Sequence, residues 1–243
     1  SDEGDTVLVD SGTYFENVQI MDKRITLTSY ISLYPENTDI ISNTIIDGSN
    51  EGVAINIRHM DSDVEYDTLE VKGFTFSNGV GNNDCEGGEG ITFVSDYTNL
   101  LVQNCVFIRN EENGCGISSW GDVTLNKVTM GILAIVDSPS WYVVVRNSII
   151  DGGITQPGID YANIFDISYT LTPSGYEGEG NINDNPLFCD PENGDYSLAE
   201  NSPAVGSGED GVNMGALDVG CEAISTYIHV ATTGSDENGD GSE

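Results

Sequence analysis

The run "DENGDG", Asp236 to Gly241, places the side-chain oxygens of Asp236, Asn238 and Asp240 at alternate positions and adds glycines that permit a tight wrap. Hard oxygen donors at that spacing are the start of a calcium loop; an acidic turn carrying no metal is the plainer reading of the same residues. Asp84, Glu86 and Glu89, in the glycine-rich stretch "GVGNNDCEGGEG", form a weaker calcium candidate of the same kind. Trp120 and Trp141 are 21 residues apart and each precedes a run that reads as a strand. They are candidates for a platform on which a sugar ring stacks, with a structural stack closing two turns as the alternative, and Tyr97 would extend either arrangement.

Residues able to do such chemistry need a scaffold, and composition bounds it. The 243 residues include 41 acidic and 7 basic side chains, a formal charge of −34, which repels nucleic acid and anionic membrane surfaces and favours cations. Short β-branched runs separated by Gly, Asn, Asp and Ser indicate a folded chain made mostly of strand. Helical periodicity is not evident, so an α/β repeat such as a leucine-rich repeat is disfavoured. No apolar run reaches the length of a membrane-spanning helix. Ser1 in place of an initiator Met leads us to expect a longer precursor. Five cysteines without a CxxC pair, and two histidines far from them in sequence, favour disulfides over a thiolate zinc site.

Four stretches align with one another: "TLEVKGFTFSNG" from Thr68, "NLLVQNCVFIRN" from Asn99, "DVTLNKVTMG" from Asp122 and "YVVVRNSIIDG" from Tyr142. Their equivalent apolar positions Leu69, Leu100, Val123 and Val143 are 31, 23 and 20 residues apart. A constant core pattern at unequal spacing predicts a solenoid whose turns accept insertions. Leu100, Val102, Cys105 and Phe107 are expected to stack on Leu69, Val71, Phe74 and Phe76 below, and on Val123, Leu125, Val128 and Met130 above. Gly73, Asn104, Lys127 and Asn147 would form a bend column in left-handed backbone, with Lys127 interrupting an asparagine ladder. Looser copies ("TVLVDSGTYFENVQI", "RITLTSY", "NTIIDGS", "NIFDISYTL") bring the expectation to about seven coils.

The opening "GDTVLVDSGTYFENVQI" and the later "NPLFCDPENGDYSLAENSPAVGSGEDGVNMGALDVGC" resemble the first coil and the closing segment of secreted bacterial proteins of the pectate lyase-like group. The resemblance spans about residues 4 to 222 and implies an all-β fold, a right-handed parallel β-helix with a loop-rich C-terminal segment, outside the cell or on its surface. Coils are expected over residues 1–180, the closing segment over 181–222, and a strand with an acidic turn over 223–243. The last part, "YIHVATTGSDENGDGS", is similar to the segment that precedes the first coil in that group, so the order is rotated. Cys189 and Cys221 flank the closing segment and are the expected disulfide, pinning a loop-rich cap; Cys85 and Cys115 are a second candidate pair, leaving Cys105 as a buried thiol.

Two functions from different classes follow. Lyases of the group hold an acidic sugar through calcium while an Arg or Lys removes a proton; Lys127 and Arg146, at nearly equivalent places on adjacent coils, are the candidate bases, with surface ion pairs as the alternative. A hydrolase needs two spaced carboxylates, and the group's Gly-His-Gly signature does not occur. The favoured expectation is non-catalytic: Tyr227, Ile228, His229 and Val230 start the next unit of a tandem array or pair with the first coil of another copy, joining copies head to tail. Calcium, if bound, would then sit at a junction, and a glycan-binding or adhesive module lies between the two readings, its partner an extracellular polysaccharide.

Overall fold

Apolar residues alternating with polar ones, broken every few residues by Gly, Asn or Asp, cannot present one helical face but can present one face of a strand. The computed structural model describes residues 2, 4–60, 67–80, 90–95, 98–108, 115–135, 142–155 and 165–225. The chain forms β1 (Thr6–Val9), β2 (Gly12–Phe15) and β3 (Val18–Met21). It repeats the trio as β4 (Thr26–Ser29), β5 (Thr44–Asp47) and β6 (Ile55–His59), and again as β7 (Asp67–Lys72), β8 (Thr75–Ser77) and β9 (Ile91–Ser95). Later strands are longer: β10 (Thr98–Phe107), β11 (Cys115–Trp120), β12 (Val123–Ile135), β13 (Val143–Thr155) and β14 (Phe165–Leu171). These 14 strands form one sheet, and every pairing in it is parallel.

The pairings resolve into three ladders. The first runs β1, β4, β7, β10, β12, β13, β14, seven strands deep. Its register aligns Val7, Leu27, Val71, Val102, Leu125, Val145 and Ile167 in a single aliphatic column. Leu69, Leu100, Val123, Val143 and Phe165 form the neighbouring column, so the offsets of 31, 23 and 20 residues read from the sequence are the observed register. A second ladder begins β2, β5, β8 and continues into the far ends of β10, β12, β13 and β14. The third aligns Val18, Ile55, Ile91, Ile117, Leu133 and Ile154. Side chains from the three ladders meet in one core, in which Phe74, Phe76, Phe93 and Leu125 are almost wholly buried.

From the third level onward, the bend between the first and second ladders has one backbone solution. Gly73, Asn104, Lys127, Asn147 and Tyr169 have φ of 82, 51, 54, 50 and 49°, all left-handed. At Gly73 a Cβ would lie 2.2 Å from Ile31 Cγ2, so glycine is required there for space as well as for φ. Lys127 and Tyr169 occupy this region at a cost of about 1 kcal/mol or more each. The asparagines bond sideways as well: Asn147 Nδ2 donates to Asn126 Oδ1 at 3.2 Å. Replacing Lys127 by Asn, which tolerates the left-handed region, is expected to stabilise the protein by roughly 0.5–1 kcal/mol. The check is a higher urea midpoint at unchanged slope.

A 3-10 turn (Tyr30–Ser32) and one short helix, α1 (Asp39–Asn43), sit between β4 and β5. Five residues are too few to imprint a helical period, which is why the sequence shows none. Beyond β14 the chain forms β15 (Phe188–Asp190), β16 (Asp195–Ala199) and β17 (Val219–Cys221) in a small mixed sheet. The segment meets the last level of the ladder, where Ile182 bridges Leu171 of β14, and it also lies along the outer side of the second ladder. Val106, Thr129, Ile149 and Leu171 align there in register, facing away from the main core, and three of them join Phe188, Leu198, Met214 and Leu217 in a second apolar cluster. Backbone N–H groups of the segment dock on the ladder: Glu209 donates to Asn147 Oδ1 at 2.7 Å, Gly215 to Asn147 O at 2.8 Å and Ala216 to Thr129 Oγ1 at 3.0 Å.

Candidate functional site

A strand paired on one side only carries a row of unused N–H and C=O groups on the other, and folds guard such edges with charge, proline or a covering element. β1, β2 and β3 stand first in their three ladders, and among the described residues each pairs with a single strand. Their sequences, TVLV, GTYF and VQIM, contain neither a charge nor a proline. Val7 heads the long aliphatic column yet is only half-buried, whereas Leu27, one level in, is 7% exposed and Val71 is fully buried. Val9 and Val18 are likewise half-buried against the core, and Leu8, Phe15 and Met21 are exposed at 42, 73 and 43%. The first level thus presents an apolar, hydrogen-bond-ready edge on all three ladders.

Tyr14 is held over this end by its hydroxyl, which donates to Asp10 O at 2.8 Å. Asn17 supports the turn between β2 and β3, its Nδ2 donating to Val53 O at 2.9 Å. These bonds fix the connections, and among the described residues no strand pairs with the outer edge.

The residues expected to do acid–base work are placed differently. Arg146 is paired in register with Asn126, and Lys127 falls level with Asn147 in the bend column, so the two cations are offset by one position. Arg146 is engaged: its guanidinium donates to Asp166 Oδ2, to Asp166 O at 2.7 Å and to Val145 O at 3.0 Å. That is an ion pair between consecutive levels of the first ladder, signalled in sequence only by a 20-residue offset. An Asn-Thr-Asp tripeptide does occur in the chain, as Asn37-Thr38-Asp39, and it starts α1. Thr38 is its N-cap and Asp39 its first residue.

Trp120 is the last residue of β11 and lies just ahead of β12, while Trp141 and Tyr97 lie outside the described residues. Cys189 and Cys221 form a disulfide across 32 residues. Cys115 opens β11, and Cys85 lies outside the described residues. Cys105 is the buried free thiol; it donates to Gln103 O at 3.2 Å, and burial pushes its pKa up to about 12, which leaves it unreactive. The calcium candidates Asp84, Glu86, Glu89, Asp236, Asn238 and Asp240, and the expected inter-unit residues Tyr227, Ile228, His229 and Val230, also lie outside the described residues. Among the described residues no three His, Cys, Asp or Glu side chains are grouped to hold a metal, and no helix is long and apolar enough to cross a membrane.

Compared with known proteins, the chain matches no family model, no curated protein and no solved structure.

Proposed function

We propose that the three ladders wind as a right-handed parallel β-helix of the pectate lyase-like type, serving outside the cell as a non-catalytic structural module joined head to tail. The observation that carries this reading is the bare apolar edge of β1, β2 and β3. Three adjoining edges without charge or proline, each four residues long, leave strand groups open to pairing unless a further strand covers them. The candidate strand is Tyr227–Val230, in which Ile228 and Val230 alternate as Val7 and Val9 do in β1.

Distance along the ladder supports pairing with another copy. Ile224 lines a cleft with Asp151 of β13, and β13 stands five ladder steps from β1, about 24 Å at the spacing of neighbouring strands. From Ser225 to Tyr227 an extended chain covers only about 7 Å. A strand at Tyr227–Val230 therefore meets the β1 edge of a neighbouring copy, not its own. Ile228 and Val230 would then extend the Val7 and Val9 columns, continuing the core across the junction. A contact of that kind does not close on itself, so it propagates as a filament. The charge of −34 opposes association sideways, and calcium bound to the acidic turn after Val230 would lie at each junction.

The test uses the full chain in sedimentation velocity and negative-stain electron microscopy. Head-to-tail oligomers are expected at tens of micromolar and above, lengthening as salt screens the acidic surface over a Debye length of about 8 Å. The double variant Ile228→Lys, Val230→Lys should be monomeric with an unchanged far-ultraviolet circular dichroism spectrum. A wild-type chain that stays monomeric at every concentration and salt, or variant filaments as long as the wild type's, would sink the proposal.

A further inference from the structure

At the other end of the molecule the closing segment and the sheet enclose a cleft of about 540 Å³, lined in part by Asp151, Asp184, Asn185, Leu187 and Ile224. Its backbone is irregular on both sides. On the sheet side the register of β12 and β13 slips between Met130–Ile150 and Ile132–Gly153, so that Asp151 and Gly152 together oppose Gly131. This is a β-bulge, which turns a side chain out of the ladder's alternation. On the opposite side Leu187 has a φ of 53°, a left-handed conformation unusual for leucine. Asn185 Oδ1 holds it by accepting the Leu187 N–H at 2.9 Å.

The lining has a definite chemistry. Pro173, Pro186 and Pro191 contribute ring carbons and no N–H, and Ile224 and Leu187 add further apolar surface. Against this wall stand two carboxylates and no cation. Asp151 is half-buried, and its carboxylate makes no hydrogen bond or ion pair among the described residues. Asp184 uses Oδ1 to accept the Asn185 N–H at 2.8 Å. A half-buried carboxylate without a partner among the described residues, in a cleft that offers both apolar and polar surface, is complementary to a positive charge carried on an aliphatic stem. A bare calcium ion fits poorly, because it takes six to eight oxygen ligands, and of the lining side chains only Asp151, Asp184 and Asn185 carry oxygen, the last two already accepting backbone N–H groups.

We infer that this cleft binds a primary ammonium group on an aliphatic stem, the chemistry shared by a lysine side chain and a free polyamine, with Asp151 as its principal charge partner. No Lys or Arg lines the cleft, and residues 226–243 contain none. The inference is independent of the head-to-tail reading, since the cleft uses no residue of β1, β2 or β3.

The test is an amide nuclear magnetic resonance titration of the full chain with three probes: Nα-acetyl-lysine methylamide, cadaverine, and the neutral isostere Nα-acetyl-norleucine methylamide. Lysine methylamide is expected to shift the amides of Asp151, Leu187 and Ile224 with a dissociation constant in the region of 1 mM, at which norleucine methylamide gives no saturable shift. Asp151→Asn, which keeps the shape of the side chain, should weaken binding about tenfold. Asp184→Asn keeps the oxygen that accepts from Asn185 and should have a smaller effect. Saturable binding of cadaverine with none of lysine methylamide supports the ammonium site and assigns it to a free polyamine. Equal binding of lysine and norleucine methylamides, binding of the ammonium probes unchanged by Asp151→Asn, or no saturable shift with either ammonium probe would each overturn it.

Discussion

Phe76→Ala is expected to cost about 4 kcal/mol of stability, the largest single effect of any substitution considered for this protein. Phe76 is 1% exposed, and its ring stacks on Phe107 with centroids 4.8 Å apart at 23°, with Phe74 at 6.2 Å. Ile46 lies beneath it in register and Phe107 above it, so truncation opens a void between two levels of the second ladder. The levels cannot slide together to fill that void, because hydrogen bonds in all three ladders fix their separation at about 4.8 Å. Phe76→Leu keeps most of the volume and should cost roughly 1–2 kcal/mol. At the exposed Phe15 a polar replacement should change stability by no more than about 0.5 kcal/mol. Urea unfolding of the three variants at equal slope checks the order.

Removing the Cys189–Cys221 disulfide, by reduction or by the double alanine variant, should cost about 3.5 kcal/mol for a loop of this length. For a chain of this size that corresponds to a fall in Tm of roughly 10 °C, measurable by calorimetry with and without reductant. The effect should be local before it is global. The bond ties β15 to β17, and those strands hold the closing segment over Val106, Ile149 and Leu171. Hydrogen exchange at Glu209, Gly215 and Ala216, whose N–H groups dock on Asn147 and Thr129, should accelerate before the core amides of β10 and β12 do. Cys105 should stay unlabelled by alkylating reagents until global unfolding, since its thiol is buried and held protonated.

Both expectations have the same structural origin. The main core is continuous along the ladders and depends on each level, whereas the second cluster is made by a segment laid on from outside. Damage to the first is expected to lower the cooperative stability of the sheet, and damage to the second to uncover one face of it. The candidate junction at β1, β2 and β3 uses the first kind of core, which is why lysine at Ile228 and Val230 is expected to act strongly there. The cleft by Asp151 uses the second kind, because its walls come from both the sheet and the closing segment.

The sequence by itself determined the strand register and the bend. Alternation of apolar residues at Leu69, Leu100, Val123 and Val143 places each on the same face, and a one-residue slip would turn every one of them outward. Gly73, Asn104 and Asn147 marked the bend because left-handed backbone is a local preference of those residues. The pairing of Cys189 with Cys221 was legible for a similar reason, since each flanks the segment it closes. The third ladder is not legible in the sequence: β6, β9 and β11 are short, and they follow segments whose composition signals turns and insertions. The 44-residue offset between Thr26 and Glu70 was hidden in the same way, by a 3-10 turn and a helix too short to show a period. Only the tertiary structure decided that the closing segment flanks the second ladder, that Arg146 is bound to Asp166, and that a bulge turns Asp151 toward a cleft beside Ile224. Local patterns fix which way a side chain points along its own strand. What it meets there depends on residues up to 87 positions away, brought close only when the levels have stacked.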